Sequence, residues 1–131
     1  MNKRERAFLL IFEKSFHAEP MPIILENAKD SDDPPDKGAA HLARLVGENT
    51  DKVDQIIKDN VTSWDIKRIS KVALAALRLC IYEVYFDDVP LGAAVNEAVE
   101  LCKKYAGEEE ASFANGVLRA VGRVSGEVDE P

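Results

Sequence analysis

The chain has 131 residues, of which 46% are hydrophobic and 31% charged, and its formal net charge is −7. That length suits one compact domain whose core needs neither disulfide nor metal. The acidic balance excludes a protein that coats nucleic acid through bulk charge, and no apolar run is long enough to span a membrane. After Met1–Arg6 the apolar run Ala7–Phe12 is short and ends at Glu13 and Lys14, so it is not a secretory core, and a cytoplasmic protein is expected.

Apolar residues recur at helical spacing, and no alternating strand pattern stands out. The first helix is predicted from about Lys3 to about His17, burying Ala7, Phe8, Ile11, Phe12 and Phe16. Pro20 and Pro22 break the chain, and Ile23–Ala28 allows one or two more turns. A polar loop with two prolines covers 30–37. A helix over Lys37–Val46 buries Ala39, Leu42, Ala43 and Val46, with Gly47 read as its stop. Asn49 or Thr50 caps the next, which carries Val53, Ile56, Ile57 and Val61. Thr62 or Ser63 is read as the cap of the longest helix, from about Trp64 to Phe86. Between Val72 and Phe86 its only charges are Arg78 and Glu83, the pattern of a central helix covered on several sides. Asp87-Asp88-Val89-Pro90 ends it, and Pro90 suits the next helix start. There Leu91, Ala94, Val95, Ala98, Leu101, Cys102 and Tyr105 form one stripe, stopped by Gly107. The last helix, about Glu109–Val124, carries Phe113, Val117, Ala120, Val121 and Val124 behind an acidic first turn that complements the helix dipole. Residues 1–125 therefore read as one all-α domain of six or seven helices, and 126–131 as a disordered acidic tail.

Chemistry is sparse. There is no phosphate-cradling glycine loop, nucleophile elbow or His-Glu-x-x-His motif, so no catalytic residue, metal site or cofactor is predicted. Cys80 and Cys102 fall on apolar stripes and read as buried small hydrophobes; His17 and His41 are far from both in sequence. Three features need explaining. Arg78 lies in an apolar helix and requires a partner, for which Glu97 or Glu100 is available. Tyr82-Glu83 is either an exposed contact for a basic protein or a core tyrosine beside a solvated edge. Lys3, Arg4 and Arg6 open the first helix; cations there can neutralise RNA phosphates beside the positive helix end, or are plain solubility charge.

Four segments carry a family resemblance. They are Trp64-Asp65-Ile66-Lys67-Arg68-Ile69; Leu77-Arg78-Leu79-Cys80-Ile81-Tyr82-Glu83; Val89-Pro90 with Val95-Asn96-Glu97-Ala98-Val99-Glu100-Leu101-Cys102-Lys103-Lys104-Tyr105; and Phe113-Ala114-Asn115-Gly116-Val117-Leu118. In order and spacing these resemble the NusB family of transcription antitermination factors, and Arg4-Glu5-Arg6-Ala7-Phe8 adds to the likeness. The resemblance implies an all-α fold of about seven helices in two three-helix bundles. It implies a non-enzymatic adaptor that binds the boxA element of ribosomal RNA transcripts together with NusE, a small ribosomal-subunit protein, within RNA polymerase antitermination complexes. RNA contacts are implied for Lys3, Arg4, Arg6, Asn115, Gly116 and Arg119, and NusE contacts for Tyr82 and Glu83. The chain departs from the family in a shorter basic start, in Ala73 where the family has an acidic residue, and in Arg119 where one is frequent. The alternative is a helical interaction module or accessory domain without independent RNA binding.

Overall fold

Residues 1–60 and 65–125 are described by the computed structural model. Within them the chain forms seven α-helices: α1 (Lys3–Lys14), α2 (Met21–Ala28), α3 (Lys37–Glu48), α4 (Thr50–Asn60), α5 (Lys71–Phe86), α6 (Leu91–Tyr105) and α7 (Glu108–Ser125). A short 3-10 turn, Ile66–Arg68, precedes α5. Side-chain caps set three of the starts, because the first amides of a helix have no partner within it. Asn2 accepts from the Glu5 amide (2.8 Å), Asp36 from the Ala39 amide (2.7 Å), and Ser70 from the Ala73 amide (3.1 Å).

The helices group as expected. The first three pack on one another, α5, α6 and α7 form a second bundle, α1 lies against α5 across the seam, and α4 touches α3, α5 and α7. The core is aliphatic and tight: Phe8, Leu10, Ile57, Leu77, Leu79, Ile81 and Leu118 are all less than 2% exposed. Each such side chain contributes roughly 1.5–3 kcal/mol by leaving water. The central α5 is buried on most sides, from Ala73 through Glu83. No helix among the described residues is long and apolar enough to cross a membrane.

Several sequence expectations are corrected. The first helix stops at Lys14, because the Ser15 hydroxyl donates to the Phe12 carbonyl and the chain turns. Phe16, expected inside, is 58% exposed. It meets the edge of Phe12 (centroids 5.0 Å apart) beneath the Lys71 ammonium. Gly47 lies inside α3 rather than ending it: a Cβ there would come within 2.9 Å of Met21 Cβ, so glycine lets α2 approach. The helix expected to start at Trp64 begins at Lys71, capped by Ser70; its 16 residues make it shorter than α7, which has 18. Val61, Thr62, Ser63 and Trp64 lie outside the described residues, as does the 126–131 tail. Lastly, Arg78 pairs with neither Glu97 nor Glu100. Its Nε and Nη2 donate to the two carboxylate oxygens of Asp54 on α4 (2.9 and 2.8 Å), a fork that ties α4 to α5. Glu97 instead lies near Arg4, and Glu100 near Lys103.

The stop at Gly107 holds. Its φ of +123° is open to glycine, and its amide donates to the Cys102 carbonyl (2.9 Å), closing α6.

Candidate nucleic-acid interface

The start of α1 rests against α5 and α6 through two polar ties. Arg4 Nε donates to both oxygens of Glu83 (2.9 and 3.2 Å), and its Nη1 stands 3.9 Å from Glu97. The Glu83 side chain is only 5% exposed, that of Arg4 27%. A carboxylate this deep requires a cation. The Glu83 hydrogen bond in turn holds the Arg4 proton more tightly than usual, against the opposing effect of burial. Next to it, Glu5 accepts from Lys104 Nζ (2.6 Å) and from the Tyr105 hydroxyl. Those bonds, Lys104 first, hold the Glu5 carboxyl below its ordinary value. The same carboxylate raises Lys104 and Tyr105.

This geometry divides the predicted cations. Lys3 is exposed, and its ammonium has no partner among the described residues; its stem lies over Gly38. Arg6 donates Nη2 to the Asp33 carbonyl, which steadies the guanidinium without neutralising it. Arg4, expected as a free phosphate contact, is turned inward on Glu83. Of the two readings of Tyr82-Glu83, the core tyrosine agrees with the structure, while Glu83 is neither an exposed contact nor a solvated edge. Both are buried, at 6% and 4%, and Tyr82 stacks on Phe86 (centroids 5.6 Å apart). What this end of α5 does expose is Tyr85, Phe86, Asp87 and Asp88. The sequence reading missed these. Their signal was position: they follow the last buried turn and run into the acidic Asp87-Asp88 step, where Asp88 takes a φ of +54°.

Asn115 and Arg119 line a groove of about 420 Å³ between α6 and α7. Its floor includes Val95, Val99 and Leu118, and its rim Asn96, Lys103 and Ser112. Gly116 is exposed, and a Cβ there would meet nothing within 4 Å. This groove uses Val95, Asn96, Val99 and Lys103 of α6, whereas the cleft beside Arg4 and Glu5 uses Glu97, Glu100, Leu101 and Lys104. At 100° per residue those sets lie on different faces of the helix, their centres roughly 135° apart. The six predicted RNA residues therefore fall in two groups, Lys3, Arg4 and Arg6 at the start of α1 and Asn115, Gly116 and Arg119 on α7.

Among the described residues no three His, Cys, Asp or Glu side chains gather to hold a metal. Burial pushes the Cys80 thiol up to about 12 and that of Cys102 to about 11, which disfavours the thiolate form of both.

The NusB family pattern matches residues 1–123. A transcription antitermination protein NusB of Clostridium botulinum strain Hall is 41% identical, with 88% of this chain and 93% of that protein aligned. One from Agathobacter rectalis is 36% identical over 88% and 92%. Among solved structures, the crystal structure of antitermination factors NusB and NusE in complex with dsRNA superposes with a TM-score of 0.79 at 27% identity, covering 93% of this chain and 94% of that one. T. maritima NusB gives 0.77 at 31% identity, covering 92% and 88%. With the family pattern reaching from the first helix into the last and the fold in agreement, this chain belongs to the NusB family.

Proposed function

We propose that this protein is a non-catalytic transcription antitermination adaptor of the cytoplasm. It binds boxA RNA together with NusE and delivers both to RNA polymerase complexes on ribosomal RNA genes. The observation that carries this reading is the whole-length likeness to a NusB crystallised with NusE and double-stranded RNA. This chain follows that fold along 93% of its length.

On this reading the RNA strand meets Lys3 and Arg6 at the open end of α1, where the free amides of the helix add positive potential. Arg4 supports them from behind through Glu83. The groove edge at Asn115, Gly116 and Arg119 supplies the second patch, with amide groups for base edges and a guanidinium for phosphate. NusE docks at the end of α5, where exposed Tyr85 and Phe86 stand beside Asp87 and Asp88. Aromatic area next to carboxylates suits a basic ribosomal protein, and an overall charge of −7 steers it in. Tyr82 and Glu83 serve that surface from beneath.

The test is a titration of labelled boxA RNA with the protein alone and with NusE, at low and at physiological salt. Tighter, salt-sensitive binding with NusE supports the adaptor. No gain from NusE and no preference over scrambled RNA favours the interaction module without RNA binding. Lys3→Ala with Arg6→Ala lowers RNA affinity at an unchanged melting temperature.

A further inference from the structure

A second concave site lies where the two halves of the fold meet, away from both patches described above. It is a cavity of about 450 Å³ at the junction of α1, α2, α3 and α4, with Arg78 of α5 in its wall. Lys14 and Arg44 also line it. Against these three cations the lining holds one carboxylate, Glu48, 3.9 Å from Arg44 Nε at the rim. Asp54, paired with Arg78 from behind, is a second carboxylate, so the cavity keeps an excess of one positive charge in a chain of net charge −7. Lys14 stands eleven residues beyond Lys3 on α1, about 16 Å along the axis, so this charge is separate from the basic start of the helix.

The cations have donors to spare. Arg78 uses Nε and one hydrogen of Nη2 on Asp54. A guanidinium has five N–H donors, and the other three have no partner among the described residues. Lys14 gives one hydrogen to the His17 carbonyl (3.2 Å), which leaves its charge uncompensated. Arg44 is held along its own helix by a hydrogen bond between Nη2 and His41 Nδ1 (2.8 Å) and by an exposed, weak pair with Glu48, which leave its remaining N–H groups without a partner among the described residues. Asp54 fixes the Arg78 side chain, 19% exposed, in place before any ligand arrives.

The volume exceeds what a bare anion needs and falls within the range of small-molecule sites, roughly 300–1,000 Å³. Pro20 and Pro22, both exposed, supply the accessible apolar part of the wall, over the buried Ile11, Met21 and Val46. We infer that this seam is a binding site for a nucleotide, whose phosphate sits on Lys14, Arg44 and Arg78 while its base lies on the apolar wall. The nucleotide is either a free mononucleotide or one unit of a bound RNA strand; the site does not depend on the antitermination role.

The experiment uses the full chain, followed by amide NMR shifts, with GMP and separately with a short single-stranded RNA as probes. GMP is expected to saturate shifts at Ile11, Gly47 and Thr50. Lys14→Ala and Arg44→Ala are each expected to weaken binding about tenfold, the loss of one charged hydrogen bond. Both side chains sit at the rim, so the melting temperature should hold, and Lys3→Ala should leave GMP binding unchanged. If the two rim variants also weaken the RNA, the strand is the source of the nucleotide; if RNA is unaffected while GMP binding falls, the source is a free nucleotide. Absence of saturable shifts at these amides with either probe overturns the inference, as does binding that both rim variants leave intact. Loss of RNA binding in Lys3→Ala alone would bear on the antitermination reading and not on this site.

Discussion

Replacing Arg4 with alanine separates a surface role for this residue from a structural one. The substitution leaves the Glu83 carboxylate, 5% exposed, without its cation. Breaking a fully buried pair from one side costs about 3–5 kcal/mol. Arg4 is itself 27% exposed, so water can reach the vacated space, and about 2–3 kcal/mol is the better figure. For 131 residues the unfolding entropy near the midpoint is about 0.28 kcal/mol/K, so the melting temperature should fall by roughly 7–11 °C. Calorimetry of four proteins checks this: wild type, Arg4→Ala, Glu83→Gln and the double variant. Once Glu83→Gln has removed the buried charge, the Arg4 substitution should cost much less, with a coupling of about 1–2 kcal/mol. A purely exposed phosphate contact would leave the melting temperature close to that of wild type and show no coupling. That result would refute the argument that Arg4 serves α5 before it serves RNA.

Gly116→Ala should stabilise the protein by up to about 1 kcal/mol, since alanine is the better helix former and its methyl meets nothing; a rise in melting temperature together with weaker RNA binding would mark close approach of RNA at that position. Gly47→Ala should do the opposite despite its helix propensity, losing about 1–2 kcal/mol in urea titrations because Met21 Cβ lies 2.9 Å from the new methyl; unchanged stability would mean that α2 shifts freely on α3. Glu5→Gln should destabilise the protein at neutral pH and converge with wild type in acid. The folded-state Glu5 pKa lies below its ordinary value of 4.5, so its contribution is present above that pH and is lost as pH falls through the lowered value. A difference between the two proteins that persists in strong acid would assign the effect to packing instead.

The helical periods were legible wherever one face is buried. The α6 stripe and the Ala39, Leu42, Ala43 and Val46 face of α3 follow the 3.6-residue repeat, and their buried residues fall on it. Ends were less legible, because one residue type serves two purposes. Glycine stops α6 at Gly107 through a positive φ, yet at Gly47, in the last turn of α3, it lets α2 approach closely. Thr62 or Ser63 was read as the cap of the long helix, whereas Ser70 caps α5. The partner of Arg78 was not readable, since α-helical spacing reports which face a residue occupies and not which helix lies opposite. The same holds for Arg4 and Glu83, which are 79 residues apart. A sequence shows two charges in need of partners and gives no sign that they satisfy each other. The motifs around Tyr82-Glu83 and Asn115-Gly116 identified the family, but motif residues can be there for the core, as the burial of Tyr82 and Glu83 illustrates.

A reconstituted transcription assay tests the adaptor role most directly. RNA polymerase reads a template carrying boxA upstream of a terminator, with this protein and NusE added singly or together. Read-through should rise when both are present, fall with Lys3→Ala plus Arg6→Ala, and vanish when boxA is scrambled. Read-through that is the same with or without this protein, or that ignores the boxA sequence, would contradict the account.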